Sequence, residues 1–284
     1  RKQMSTYIKH ETAWCPGCGN FMILDTLKSV LEDLDLPNDQ VLLAAGIGQA
    51  AKTPQYLNAN SFCGLHGRSL PAAQAAKMAN DDLTVIIDTG DGDSYGEGGN
   101  HFLHAIRRNV DITHFVHDNR IYGLTKGQIS PTTDACTEHS VNKVCNLNTP
   151  FNPLAIALSA GATFVARSFS GNKEHLAEMM KRAIRHKGYA LLDILQPCVS
   201  FNKVNTFKYY KEHVDILDEN HPTDDHMAAL ELALTNSDRI PIGVFYENNH
   251  PAFAETHSVL SAGPALVDRE TDLEGITALM NAFV

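Results

Sequence analysis

Two groups of residues have the types and spacing of a chemical site. The first is TGDGDSYGEGGN, from Thr89, taken together with Asn119 further along. Asp91 offers a hard anionic oxygen, Asn119 a neutral amide oxygen, and the backbone carbonyl of Ile121 a third donor. Mg²⁺ takes about six oxygen ligands and keeps substrate phosphates among them. Gly90, Gly92, Gly96, Gly98 and Gly99 leave backbone amides unshielded, as a phosphate requires. The combination suits a diphosphate held through a divalent metal. The second group is Trp14-Cys15-Pro16-Gly17-Cys18-Gly19, with Cys198 in LQPCV. A C-x-x-C turn brings two thiolates to one metal site. Spacing alone leaves three chemistries open: a redox dithiol, a zinc site lacking its second pair, and an iron–sulfur cluster, which tolerates scattered single cysteines.

The elements that must position these residues can be read from pattern. Leu83–Asp88 (LTVIID) is an apolar, β-branched run and reads as a buried strand ending at the glycines. A helix follows, with Phe102, Leu103 and Ile106 on one face and Arg107 and Arg108 on the other. Ile112–Val116 is a second strand, ending in His117-Asp118-Asn119. Asp91 and Asn119 therefore stand just past the carboxyl ends of strands joined by one crossover, the edge of an open parallel sheet where ligands bind.

Other stretches extend the alternation. Phe21–Leu34 reads as a helix. Val41–Ala45 is a strand ending in Gly46-Ile47-Gly48, a turn where backbone can approach a cofactor ring, and Lys52 is the cation nearest it. FCGLHGR places His66 before the helix LPAAQAAKMAN, whose alanines at 72, 73, 75, 76 and 79 permit close packing, and His-Gly-Arg before a helix start favours an anion. Thr163–Arg167 is a strand, Asn172–His186 a helix with Leu176, Met179, Met180, Ala183 and Ile184 inward, and YALLDIL a further strand. The fold class is α/β: a doubly wound, mostly parallel sheet. Residues 1–200 form that domain, and 201–284 an irregular extension packing on it and on a partner subunit. Within the extension Thr206–Asp218 and Asp224–Leu234 read as helices, Ile240–Tyr246 as a strand, and His213, His221 and His226 as solvated; DACTEHSVNKVC reads as loop.

With 284 residues and 43% hydrophobic content the chain can bury a sizeable core, and its net charge of −10 argues against a nucleic-acid partner. No apolar run reaches the roughly 18 residues of a membrane span, and no secretory apolar region opens the sequence. Six irregularly spaced cysteines suggest metal or redox use in a reducing, cytoplasmic setting.

GDG with the downstream asparagine resembles the thiamine-diphosphate motif. WCPGCGN, the GIG turn, HGRSLPAAQAAKMAN, the stretch from GDGDSYGEGGN to NRIYGLTKGQISPT, and LLDILQPCVSFN together resemble, in order, the β subunits of 2-oxoacid:ferredoxin oxidoreductases, most closely the 2-oxoglutarate type. The resemblance implies thiamine diphosphate, Mg²⁺ on Asp91, Asn119 and the Ile121 carbonyl, and a nearby [4Fe–4S] cluster. It implies a cofactor lining of Gly46, Ile47, Gly48, His66, Gly90, Gly92, Asp93, Tyr122, Gly123 and Leu124. Among catalytic residues it places His66, Lys52 reading a substrate's distal carboxylate, and Leu124 and Lys126 on a loop over the site. Coenzyme A and ferredoxin are the co-substrates, the reductive carboxylation is the reverse reaction, and an α (or fused αγ) subunit in an (αβ)₂ assembly supplies the carboxylate that activates thiamine.

One position departs from the family. Its members carry cysteine after the GIG turn, where this chain has Gln49. Cys15, Cys18 and Cys198 match family ligands, and Cys63, one short connection away, is the expected fourth; three cysteines with another ligand or none is the alternative. A cluster-free thiamine decarboxylase or synthase subunit, or a zinc-binding scaffold, are the competing functions.

Overall fold

Helix-forming and strand-forming stretches alternate along the chain, and the computed structural model, which describes residues 7–137, 145–218, 220–235 and 237–283, assembles them around one eight-stranded sheet. In chain order the main elements are α1 (Asn20–Asp33), β1 (Val41–Ala45), α2 (Thr53–Tyr56), β2 (Asn60–Cys63), α3 (Ser69–Ala79), β3 (Thr84–Gly90), α4 (Gly99–Arg108), β4 (Ile112–Asp118), α5 (Pro153–Ser159), β5 (Phe164–Phe169), α6 (Lys173–Arg185) and β6 (Tyr189–Leu195). Then come α7 (Phe207–His213), β7 (Val214–Ile216), α8 (His226–Leu234), β8 (Ile240–Glu247), α9 (Phe253–Thr256) and α10 (Leu273–Ala282).

The sheet order is β2-β1-β3-β4-β6-β5-β8-β7. The pairings from β2 to β5 are parallel, β8 lies antiparallel on β5, and β7 runs parallel to β8. Central strands buried on both faces need apolar residues throughout, and β6 shows how they divide. Its Ala190, Leu192 and Ile194 enter the core beneath α1 and α6, and Tyr189 and Leu191 enter the core beneath α3, α4, α5 and α8. Local signals fix the helix ends. Asn172 accepts from the His175 N–H to cap α6, and Asn109 takes a left-handed φ of 50° to stop α4.

Several sequence expectations need correction. Residues 206–218 are not one helix: α7 ends at His213, and Val214–Ile216 switch to strand because they pair with Ile240–Ile242. Leu103 is 44% exposed, since the buried stripe of α4 runs through Phe102, Ala105 and Ile106. In α3 only Ala73 of the alanines is buried, while Ala75 is exposed. His213 and His226 are not simply solvated. His213 stacks on Tyr209 with its Nδ1 2.7 Å from the Tyr209 carbonyl, and His226 Nε2 lies 2.9 Å from the Leu158 carbonyl. His221 is half-buried. The stretch past residue 200 is more regular than its sequence, because α8 and β8 complete the second core. The loop expected over 134–145 lies outside the described residues between 138 and 144; Cys136 and Cys145 flank that gap.

Candidate active site

Three parallel strands, β1, β3 and β4, deliver the site residues at their carboxyl ends. In register, Gly90 of β3 stands opposite His117 of β4, so Asp91 and Asn119 follow neighbouring strand tips. A cleft of about 770 Å³ opens there. Its lining includes Ile47, Gly48, His66, Gly90, Asp91, Gly92, Asp93, Asn119, Ile121, Tyr122, Gly123 and Leu124. Most of the residues singled out in the sequence thus come together. Gly46, Lys52 and Lys126 are not in its lining: Gly46 lies against Asp93, Lys52 ends a short 3₁₀ turn and Lys126 sits exposed at a φ of 77°.

The glycine loop is a cradle with no room to spare. A Cβ on Gly92 would stand 2.2 Å from the Tyr122 ring, and one on Gly46 would stand 2.2 Å from Asp93 Oδ2. Asp93 clips two loops together: its Oδ1 accepts from the N–H of Ile47 at 3.0 Å and of Gly67 at 2.7 Å. Its Oδ2 is buried with no hydrogen-bond partner. Gly92–Glu97 forms a π-helical turn, a local widening that recurs at functional sites.

Asp91 is 2% exposed, and burial pushes its carboxyl up to about 6 against the opposing hydrogen bonds of Ser130, Thr132 and the Gly92 N–H. Thr132 Oγ1 lies 2.7 Å from Asp91 Oδ2 and 2.6 Å from Asp118 Oδ1. Burial, with Asp193 and Asp91 nearby, raises the Asp118 carboxyl well above the usual range. Asn119 Oδ1 accepts from the Ile121 N–H at 3.0 Å, an Asx turn that fixes the side chain. At the mouth, Glu97 ties two rings in place: Tyr122 Oη donates to its Oε2 at 3.0 Å, and His66 Nδ1 lies 3.2 Å from the same oxygen.

The donor set fits a magnesium diphosphate. A buried carboxylate is costly without a cation, and one anionic oxygen with one amide oxygen leaves room for phosphate oxygens among the ligands.

Three of the cysteines gather at a second, smaller pocket, lined by Cys15, Cys18, Cys198 and Gln49 among others. Burial raises the Cys18 thiol to about 11, Cys198 and Cys15 adding to the effect, and Gln196 Nε2 lies 3.5 Å from Cys18 Sγ. Cys63 is not brought into this group. It ends β2 opposite Ala45, is exposed, and is absent from the lining. Among the described residues no three histidine, cysteine or acidic side chains converge on a single-ion site. Thr132, Glu97 and Ser130 went unread in the sequence, because an isolated hydroxyl or glutamate carries no motif.

Comparison with known proteins decides the family. The thiamine pyrophosphate enzyme C-terminal TPP-binding domain matches residues 40–194, more than half of the chain. The C-terminal family of pyruvate ferredoxin oxidoreductase β subunits matches residues 198–262. The chain is 44% identical to the 2-oxoacid:ferredoxin oxidoreductase subunit beta of Saccharolobus solfataricus over 248 residues, 83% of this chain and 81% of that one. It belongs to the β subunits of the 2-oxoacid:ferredoxin oxidoreductases. It is 43% identical to the 2-oxoglutarate oxidoreductase subunit KorB of Mycobacterium tuberculosis over 192 residues, 68% of this chain and 52% of that one. The 2-oxoglutarate:ferredoxin oxidoreductase from Magnetococcus marinus, solved with 2-oxoglutarate, coenzyme A and succinyl-CoA bound, superposes with a TM-score of 0.88 and 35% identity over 96% of this chain and 94% of that one.

Proposed function

We propose that this β subunit holds the diphosphate half of a thiamine-diphosphate site. With an α subunit it would convert a 2-oxoacid, 2-oxoglutarate foremost, to CO₂ and the acyl-CoA with ferredoxin as electron acceptor, or run the reductive carboxylation. The observation that carries this reading is the placement of Asp91, Asn119 and the glycine loop on one cleft at adjoining strand tips. Asp91, Asn119 and the Ile121 carbonyl would hold Mg²⁺. Thiamine diphosphate, when bound, supplies a carbon nucleophile and an electron sink.

The protein's own part is positioning. The missing side chains at Gly46 and Gly92 let Asp93 and Tyr122 pack against those turns. The Asp93 clip holds the Ile47 amide in place, and Glu97 steadies His66 and Tyr122 at the mouth. Leu124 and Lys126 would form the loop over the substrate, and Lys52 would meet a distal carboxylate. Lys52→Ala should then raise KM for 2-oxoglutarate far more than for pyruvate; equal loss on both would remove Lys52 from that role.

The cleft is half-built by this chain. Ile47 and Leu124 in its lining are 43% and 41% exposed, apolar surface that an α subunit would cover while supplying the pyrimidine-side carboxylate. The free thiols accord with a reducing compartment, and among the described residues no helix is long and apolar enough to cross a membrane.

Cys15, Cys18 and Cys198 would contribute three thiolates to an iron–sulfur cluster. Cys63, expected as the fourth, is absent from the lining of their cavity. Anaerobic isolation of the αβ complex and release of bound cofactor by acid tests the main reading. One thiamine diphosphate per β subunit, lost in Asp91→Ala, supports it; none in the wild type removes it.

A further inference from the structure

Gln49 lines both cavities, the thiamine cleft and the cysteine pocket. Its backbone is pinned, because Trp14 Nε1 donates to the Gln49 carbonyl at 2.8 Å. Its side-chain Oε1 is buried without a hydrogen-bond partner. A Cβ on Gly123 would stand 3.9 Å from Gln49 Cγ and 3.9 Å from Cys198 Sγ, so the two side chains flank one point. A buried amide oxygen with no partner costs free energy that a Lewis acid relieves. The three cysteines of the pocket leave one coordination position for a donor, and Cys63 closes β2 outside the lining.

We propose that Gln49 is the fourth donor of the cysteine pocket: three thiolates and one amide oxygen hold an iron–sulfur cluster whose fourth iron, on the thiamine side, is exchangeable. This rests on the reading that Cys15, Cys18 and Cys198 bind such a cluster. An amide oxygen is a harder and weaker ligand to iron than a thiolate, so the corner it holds is the one that leaves. Because Gln49 lines both cavities, its side chain would stand between such a cluster and the thiamine cleft.

The test uses the αβ complex isolated without air, with iron and acid-labile sulfide counted before and after ferricyanide and a ferrous chelator. In the expected reaction one ferrous ion leaves to the chelator and one electron passes to ferricyanide. The product is a cluster of three ferric irons with its sulfides intact, seen by its paramagnetic signal. Wild type should lose one iron of four and regain it on adding ferrous ion and a reductant. Gln49→Cys should keep all of its iron under the same treatment, Gln49→Ala should lose it faster than wild type, and Cys63→Ser should behave as wild type. A wild-type cluster that resists the treatment, and becomes labile in Cys63→Ser, would overturn the assignment and make Cys63 the ligand. Iron and sulfide absent from the wild type, with Cys15→Ser indistinguishable from it, would remove the cluster reading itself.

Discussion

Thr132 shows how a single hydroxyl would govern Asp91, the proposed magnesium ligand. Its Oγ1 stands between Asp91 Oδ2 and Asp118 Oδ1, both buried. Partners that orient a metal ligand commonly matter to metal affinity by roughly 10–100-fold. Thr132→Val should therefore weaken Mg²⁺-dependent thiamine diphosphate binding by about tenfold or more, measured by calorimetry, and cost about 1–3 kcal/mol of stability as buried carboxyls lose a partner. Thr132→Ser, which keeps the hydroxyl, should recover most of the affinity. Gly92 makes the complementary case. Its Cβ has no space beside Tyr122, so Gly92→Ala should force the ring aside. That overpacking costs about 1–3 kcal/mol of stability in a melt, together with the cofactor affinity. Asp91 and Asn119 could be singled out because each follows an apolar strand run, one in a glycine loop and the other in a polar turn. Thr132 could not be, because its partners come from two strand tips that only the folded loop brings within reach.

At the scale of elements, the seam between β3, β4 and β6 carries a buried histidine. His114 Nδ1 lies 2.7 Å from Tyr189 Oη, and Nε2 lies 3.0 Å from Thr89 Oγ1 and 3.2 Å from Ser94 Oγ. Burial lowers its pKa from 6.5 to about 3. The unfolded chain therefore binds more protons than the folded one between those values. The contribution of neutral His114 is fully present above pH 6.5 and is lost as pH falls towards about 3. Urea unfolding should lose up to about 1.4 kcal/mol per pH unit from this one group across that window. His114→Gln, even if less stable overall, should show a shallower acid slope; an unchanged slope would assign the proton uptake elsewhere. The strands that carry the site announced themselves through apolar runs, as in β3, β4 and β6. β2 did not: all four of its residues are exposed, so neither alternation nor an apolar run marks it. β7 hid at the end of a helical pattern, since three residues joining an edge strand owe their conformation to Ile240–Ile242 rather than to their own propensity.

For the whole molecule, exposed apolar side chains include a group along the tail. Beyond α9, Leu273, Leu279, Met280 and Phe283 are 70%, 65%, 67% and 90% exposed. The α subunit is the partner that the family assigns to this chain. Removing residues 257–284 should leave the sheet folded by circular dichroism and reduce co-purification with the α subunit; undiminished co-purification would free the tail of that role. The central claim is that Asp91 and Asn119, on neighbouring strand tips, hold thiamine diphosphate through one magnesium. Equilibrium dialysis of the αβ complex with thiamine diphosphate, with and without Mg²⁺, tests it most directly. The account predicts about one cofactor per β subunit, dependent on Mg²⁺ and lost in both Asp91→Ala and Asn119→Ala while the complex stays assembled. Cofactor retained in both variants, or bound equally without the metal, would contradict it.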